Sequence, residues 1–398
     1  METIDWRVLY AANRALIEGR RADGAAALSD HVAPARIAPG ADLPDRLVPA
    51  AALADRLAPV TRLADRLAPG IQLPGGLLGT GSRVPPPSPR PAAALADPAH
   101  VVEHHDGRRV RRIRLHVPER VDPATPAPLV VALHGCTQTA ATFASGALLD
   151  EEAGRHGVLV AYPEQIRDDN PHGCWNWFSA GHQARGAGEP AFLAGATHAV
   201  IAAGWAVDRD RVYVAGMSAG AAMASVVAAT YPDLFAGLAM HSGLAYGCAR
   251  SLPAATQAMT RGAPDPEAQG RAAFAAMGAN ARPVPTLVIH GTADPIVCPV
   301  NGEHAVRQWM TTNRLAAGGA YEPDPARPDA AVRDDAAGRR AGSRRTWYDA
   351  SGRVMQEHLE VEGLGHAWSG GAAGGAYTDS RGPSAAAAIL DFFARISA

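Results

Sequence analysis

The chain has 398 residues, 47% apolar and 19% charged, which is enough for one large α/β domain with an appendage and too apolar for wholesale disorder. Lys and Arg number 37 against 39 Asp and Glu, a net charge of -2, so there is no basic excess to replace counterions and nucleic acid is not an expected partner. No apolar run reaches the roughly 18 residues that a membrane-spanning helix needs.

The first thirty residues carry Glu2, Asp5, Arg7, Arg14 and Glu18, where a secretory signal needs an unbroken apolar stretch. Trp6, Leu9, Ala12 and Leu16 fall at roughly helical spacing and predict one amphipathic helix within 5–30. A ten-residue unit follows, LPDRLVPAAA, LADRLAPVTR and LADRLAPG, with Pro49, Pro59 and Pro69 in register. A proline at that interval limits any helix to about two turns. Residues 71–95, with PPPSPRP, predict an extended linker. Residues 1–95 therefore read as a weakly ordered extension, and 96–398 as the folded domain.

That domain alternates strand and helix. In RVRRIRLHVP (109–118), Ile113, Leu115 and Val117 share one face of a half-buried strand. The short apolar runs at 128–135, 157–164, 211–216, 234–243 and 285–291 predict strands covered on both faces. Helical patterns at 191–207 and 221–232 lie between them, and the expected fold class is α/β, an open doubly wound and mostly parallel sheet. The charged, Gly/Pro-rich stretch 311–345 predicts an exposed insertion.

Gly216-Met217-Ser218-Ala219-Gly220 joins the strand RVYVAG to an alanine-rich helix. G-x-S-x-G is a weak signal alone and a strong one between a strand and a helix, where the tight turn lifts the serine toward substrate and excludes Cβ atoms on either side. A serine hydroxyl becomes a nucleophile only when a base takes its proton, and a carboxylate must orient that base. The chain order in such turns is Ser, acid, His. Asp294 stands three residues beyond Gly291, just after the strand PTLVIHG, whereas Asp265 and Asp349 follow no core strand. His366 lies in the Gly-rich loop GLGHAWSGG, while its rival His358 sits inside the preceding strand. Backbone N–H donors for a developing oxyanion are expected from Ala219 and from Cys136 in His134-Gly135-Cys136-Thr137, with His134 as a structural imidazole fixing that loop. No H-E-x-x-H, paired C-x-x-C, P-loop or suitably placed G-x-G-x-x-G occurs, so no metal or organic cofactor is expected.

The segments LHGCTQTAATFA, GCWNWF, VYVAGMSAGAAMA, IHGTADPIV and GLGHAWSGG, in this order, resemble the polyhydroxybutyrate depolymerase family of esterases over roughly residues 100–398. The resemblance implies an α/β-hydrolase fold and hydrolysis of carboxylic esters through an acyl-enzyme. Residue by residue it implies Ser218 as nucleophile, Asp294 as orienting acid, His366 as base and Cys136 as an oxyanion donor. Many members of that family are secreted and many carry a C-terminal polymer-binding module. Neither a signal nor such a module is recognisable here, so a cytoplasmic location is expected, and short esters, oligomers or an amorphous polymer fit better than a crystalline polyester.

Trp175 and Trp177, with Trp368 beside His366, are candidates for an apolar wall against an acyl chain, the alternative being that they are core. Cys136 and Cys174 flank the site, and a bridge between them would stiffen the oxyanion loop and leave Cys248 with Cys298. In a reducing compartment all four would be small buried residues. Feruloyl or acetylxylan esterase and acyltransferase are rival activities of the same machinery. From another class, the Leu-rich repeats could carry the function by touching a hydrophobic surface such as a polymer granule.

Overall fold

The computed structural model describes residues 100–335 and 338–397, so the helix, repeats and linker expected within 1–95 lie outside the described residues. The elements run β1 (His100–His105), β2 (Val110–His116), β3 (Ala127–Leu133), α1 (Ala140–Ala147), α2 (Leu149–His156), β4 (Leu159–Pro163), α3 (Gly188–Ile201), β5 (Val207–Met217) and α4 (Ala219–Thr230). They continue with β6 (Gly237–His241), α5 (Leu252–Arg261), α6 (Pro266–Met277), β7 (Thr286–Gly291), α7 (Val300–Ala316), β8 (Ala330–Asp334), β9 (Gly342–Tyr348), β10 (Val354–Val361), β11 (Trp368–Ser369), β12 (Thr378–Asp379) and α8 (Ala385–Ile396). Each of the five apolar runs forms a strand, and β4, β6 and β7 present no exposed side chain. No described helix is long and apolar enough to cross a membrane.

Ten strands form one sheet in the order β1-β2-β4-β3-β5-β6-β7-β10-β9-β8. The six from β4 to β10 pair in parallel, and antiparallel pairs close both edges. On β3, Leu129, Val131 and Leu133 pack with Trp175, Leu193, Met223 and Trp309 on one face of the sheet. Val130 and Ala132 pack with Phe143, Tyr162, Trp368 and Phe392 on the other. The sheet is thus covered on both sides, as continuous apolar strands require. From β3 the chain passes to β4 on one flank and returns to β5 on the other. That reversal opens a crevice at the carboxyl ends of β3 and β5, where open α/β sheets bind ligands.

The stretch 311–345 is not one irregular insertion, although most of 318–335 is exposed. Residues 311–316 complete α7, and 330–334 and 342–348 are edge strands, which leaves only 317–329 irregular up to β8. Polar residues are tolerated inside α7 because Asn313 accepts the Val284 N–H at 2.8 Å and donates to the Val284 carbonyl at 2.8 Å. The charges of β9 also have partners, with Arg344 on Glu357 at 2.6 Å and Arg345 on Glu303 at 2.7 Å.

Candidate active site

Ser218 stands between β5 and α4 with φ 56° and ψ -121°, a conformation that only a constrained turn imposes on a serine. The constraint is steric. A Cβ on Gly216 would lie 2.5 Å from the Gly220 backbone, and one on Gly220 would lie 2.2 Å from the Leu133 carbonyl oxygen. The Ser218 N–H donates to the His241 carbonyl at 2.9 Å.

Asp294 follows β7 and is buried. Its Oδ1 accepts the N–H groups of Ile296 at 2.9 Å and Val297 at 3.0 Å, while its Oδ2 lies 2.7 Å from His366 Nδ1. A carboxylate only accepts, so the proton between them sits on Nδ1. Nε2 is left with its lone pair 2.9 Å from Ser218 Oγ, placed to accept the hydroxyl proton. Burial alone would raise the Asp294 pKa, but the charge and N–H of His366, the nearby His290 and the Ile296 N–H outweigh it and hold the carboxyl at about 2. The competing acids do other work: Asp265 caps α6 and Asp349 accepts turn N–H groups. His358 is buried in β10 with Nδ1 2.7 Å from Arg345.

Cys136 lies between β3 and α1 and is disulfide-bonded to Cys174. The Thr137 N–H donates to the His172 carbonyl at 2.9 Å, and the Gly135 N–H to Gln138 Oε1 at 2.9 Å. His134 Nδ1 donates to the Gly135 carbonyl at 2.8 Å, and its Nε2 accepts the Gln165 N–H at 3.0 Å. Burial lowers the pKa of this ring and disfavours its charged form, and its two hydrogen bonds fix the loop. The second bridge, Cys248 with Cys298, is not formed; burial pushes the Cys248 thiol up to about 12 and it packs as a small apolar residue.

A cavity of about 360 Å³ opens in front of Ser218 and His366, walled by Cys136, Trp177, Phe178, Leu244, Met259 and Ile296. Only one of the three expected tryptophans lines it. Trp175 is fully buried and donates to the His134 carbonyl at 3.1 Å. Trp368 is buried on the other face of the sheet, edge-on to Phe143, stacked on His241 and donating to the Ala147 carbonyl. Among the described residues, no group of three or more His, Cys, Asp or Glu is arranged to hold a metal ion.

Three supports escape the sequence reading. Gln138 braces the Cys136 turn, and His241 accepts the Ser369 N–H at 3.1 Å. Burial beside His290 and His366 depresses the His241 pKa to about 3, so that ring stays an acceptor. Glu189 accepts the Asn176 N–H at 2.7 Å and its side-chain amide at 2.6 Å, pinning the Cys174–Trp177 segment, and burial pushes its pKa up to about 7. The only available signal was an acid within an otherwise apolar helix.

A model of the esterase PHB depolymerase family matches residues 117–330, more than half of the chain, including Cys136, Ser218 and Asp294. The chain is 39% identical to poly(3-hydroxyalkanoate) depolymerase C of Paucimonas lemoignei over 254 residues, 63% of this chain and 57% of that protein. It is 33% identical to feruloyl esterase B of Neurospora crassa over 205 residues, 50% of this chain and 68% of that one. Among solved structures, the acetyl xylan esterase from Aspergillus awamori superposes with a TM-score of 0.53 at 25% identity, covering 64% of this chain and 88% of its own. The chain thus spans somewhat more than half the length of the depolymerase it matches, with the α/β-hydrolase sheet expected of such esterases. On its sequence match and its fold, this chain belongs to the esterase PHB depolymerase family.

Proposed function

We propose that the protein is a serine carboxylesterase that cleaves neutral esters through an acyl-enzyme, with poly- or oligo(3-hydroxyalkanoates) and short-chain esters as its substrate class. The observation that carries this reading is the relay from Ser218 Oγ to His366 Nε2 at 2.9 Å and from His366 Nδ1 to Asp294 Oδ2 at 2.7 Å, opening on a largely apolar cavity. Ser218 Oγ bonds to the ester carbonyl carbon while its proton passes to His366 Nε2, and Asp294 stabilises the imidazolium. The N–H groups of Cys136 and Ala219 receive the negative charge that grows on the carbonyl oxygen. Collapse breaks the bond to the alcohol oxygen, which takes the proton from His366. Water, deprotonated by the same ring, then releases the acid and restores the serine.

The cavity sits at the lower end of the size range of small-molecule sites, which suits a short acyl chain. Similarity to proteins named feruloyl and acetylxylan esterases supports a second reading, in which the alcohol or acid is plant-derived.

The test is hydrolysis of p-nitrophenyl butyrate, 3-hydroxybutyrate oligomers, methyl ferulate and acetylated xylan by wild type and Ser218→Ala. The expected result is cleavage of the first two by wild type and a loss of at least about 10³-fold in the variant. Full activity in Ser218→Ala would sink the mechanism, and a preference for the plant esters would move the second reading to the front.

A further inference from the structure

Besides Ser218, two non-glycine residues lining the cavity hold a left-handed backbone, Thr137 with φ 66° and Tyr377 with φ 56°. Such conformations are uncommon for β-branched and aromatic residues and persist only where the surroundings impose them. Here the surroundings do so from both sides. The Thr137 N–H is held by the His172 carbonyl at 2.9 Å, and the Tyr377 carbonyl by the Trp368 N–H at 2.7 Å. The effect is to bring together two hydroxyls 240 residues apart in the chain, at a separation of 3.1 Å.

That contact is not what joins the two loops. Gln138 already bridges them, donating to the Ala376 carbonyl at 3.2 Å while accepting the Gly135 N–H. Both hydroxyl-bearing residues are exposed and both line the cavity, so the pair is not sealed in the core. Two hydroxyls carry two protons, and their mutual bond uses one, which leaves one to donate. None of the residues lining the cavity is Asp, Glu, Lys or Arg, and its ionisable members outside the pair are the imidazoles His172 and His366, so the lining offers no permanent charge to select an ion and a neutral group fits the pair. A neutral acceptor next to an ester under attack, in a substrate whose ester groups recur, is the carbonyl oxygen of the next ester.

We propose that the Thr137–Tyr377 hydroxyl pair is a specificity subsite that binds the carbonyl of a second ester group, adjoining the one Ser218 attacks. This rests on the esterase reading above and narrows it to substrates with ester groups in series, because a simple monoester fills the apolar cavity and leaves the pair unused.

The test compares kcat/KM for p-nitrophenyl butyrate, which has one ester, with kcat/KM for a methyl-capped 3-hydroxybutyrate trimer, in wild type, Tyr377→Phe, Thr137→Ala and Thr137→Ser. Losing one neutral hydrogen bond should lower the trimer-to-monoester ratio about 3–10-fold in Tyr377→Phe and Thr137→Ala, while Thr137→Ser, which keeps its hydroxyl, stays near the wild-type ratio. A brace between loops would lower both rates alike, so an unchanged ratio in Tyr377→Phe and Thr137→Ala overturns the subsite whether or not the rates themselves fall. Tyr377→Phe retains its ring, and thermal midpoints for all variants separate unfolding from altered selectivity. If wild type cleaves the monoester and ignores the trimer, the second-ester assignment is overturned and the esterase stands. If it cleaves neither, the esterase reading itself fails, and the subsite with it.

Discussion

Ser218 and His366 meet at 2.9 Å, yet the segments that carry them are held by opposite means. The turn around Ser218 is defined by what it excludes, because Gly216 and Gly220 sit where no Cβ fits and the neighbours are backbone atoms that cannot step aside. The loop leading up to His366 is held mainly by what it bonds, and steric exclusion enters only beyond it, at Gly370 and Gly371. His366 is anchored on Asp294, the Gly363 N–H on Thr292, and the Ser369 N–H on the ring of His241, while a Cβ on Gly365 would meet nothing within 4 Å. In the proposed mechanism His366 gains and loses a proton in each cycle, so it depends on the electronic state of its partners. Ser218, which in that mechanism draws its reactivity from His366, must in addition point at one atom, so its position matters most.

The contrast sets what substitutions should do. The largest effect belongs to the bonded side: Asp294→Asn retains an oxygen for the Ile296 and Val297 N–H groups but can turn an amide N–H toward His366, moving the ring proton to Nε2 and removing the base. Its kcat for p-nitrophenyl butyrate should fall about 10⁴-fold with the fold intact, read by kinetics beside far-UV circular dichroism. A variant retaining a tenth of wild-type kcat would mean that the partner's charge matters little.

Next comes the excluded side. Gly220→Ala should cost about 3 kcal/mol or more of stability in urea unfolding, because its methyl meets the Leu133 and His134 carbonyl oxygens at 2.2 and 2.5 Å, whereas Gly365→Ala should change stability by less than about 0.5 kcal/mol. Equal costs would erase the distinction between the two segments.

The smallest effect is a pH dependence. With its folded-state pKa held at about 2 against an ordinary 3.8, Asp294 contributes stability above pH 4 that is lost as the pH falls toward 2, about 2 kcal/mol in all. Wild type should therefore lose more unfolding free energy than Asp294→Asn over that window in parallel urea titrations. Parallel curves would show that the ion pair contributes nothing to folding.

What the sequence made legible follows the same division. The turn around Ser218 is local: two glycines at fixed spacing between a strand and a helix state its geometry, and Asp294 and His366 follow from chain order and flanking glycines. Contacts between distant segments left no such mark. Thr137 and Tyr377 carry no spacing that relates them, and Glu189 reads as one acid among helix residues until Asn176 is seen upon it. The tryptophans show the limit of composition, since Trp175 and Trp177 are neighbours of one chemistry that pack in one core, and only the path of the backbone gives Trp177 a face on the cavity. In 311–345 the arginines and polar residues suggested solvent, because pairing with Glu303, Glu357 and the Val284 backbone is invisible without the fold. The edge strand β1, HVVEHH, was missed because its exposed face leaves little apolar signal.

One further consequence comes from α4. All twelve of its residues, from Ala219 to Thr230, are buried, eight of them alanine, glycine or serine, so the helix behind Ser218 has no solvent side from which to fray. Segments enclosed in this way open only with the whole domain, and their backbone amides exchange with solvent at the rate set by global unfolding. The population with a misplaced Ser218 is then the unfolded population, so heat should remove activity and fold at one midpoint, without an inactive yet folded species between them.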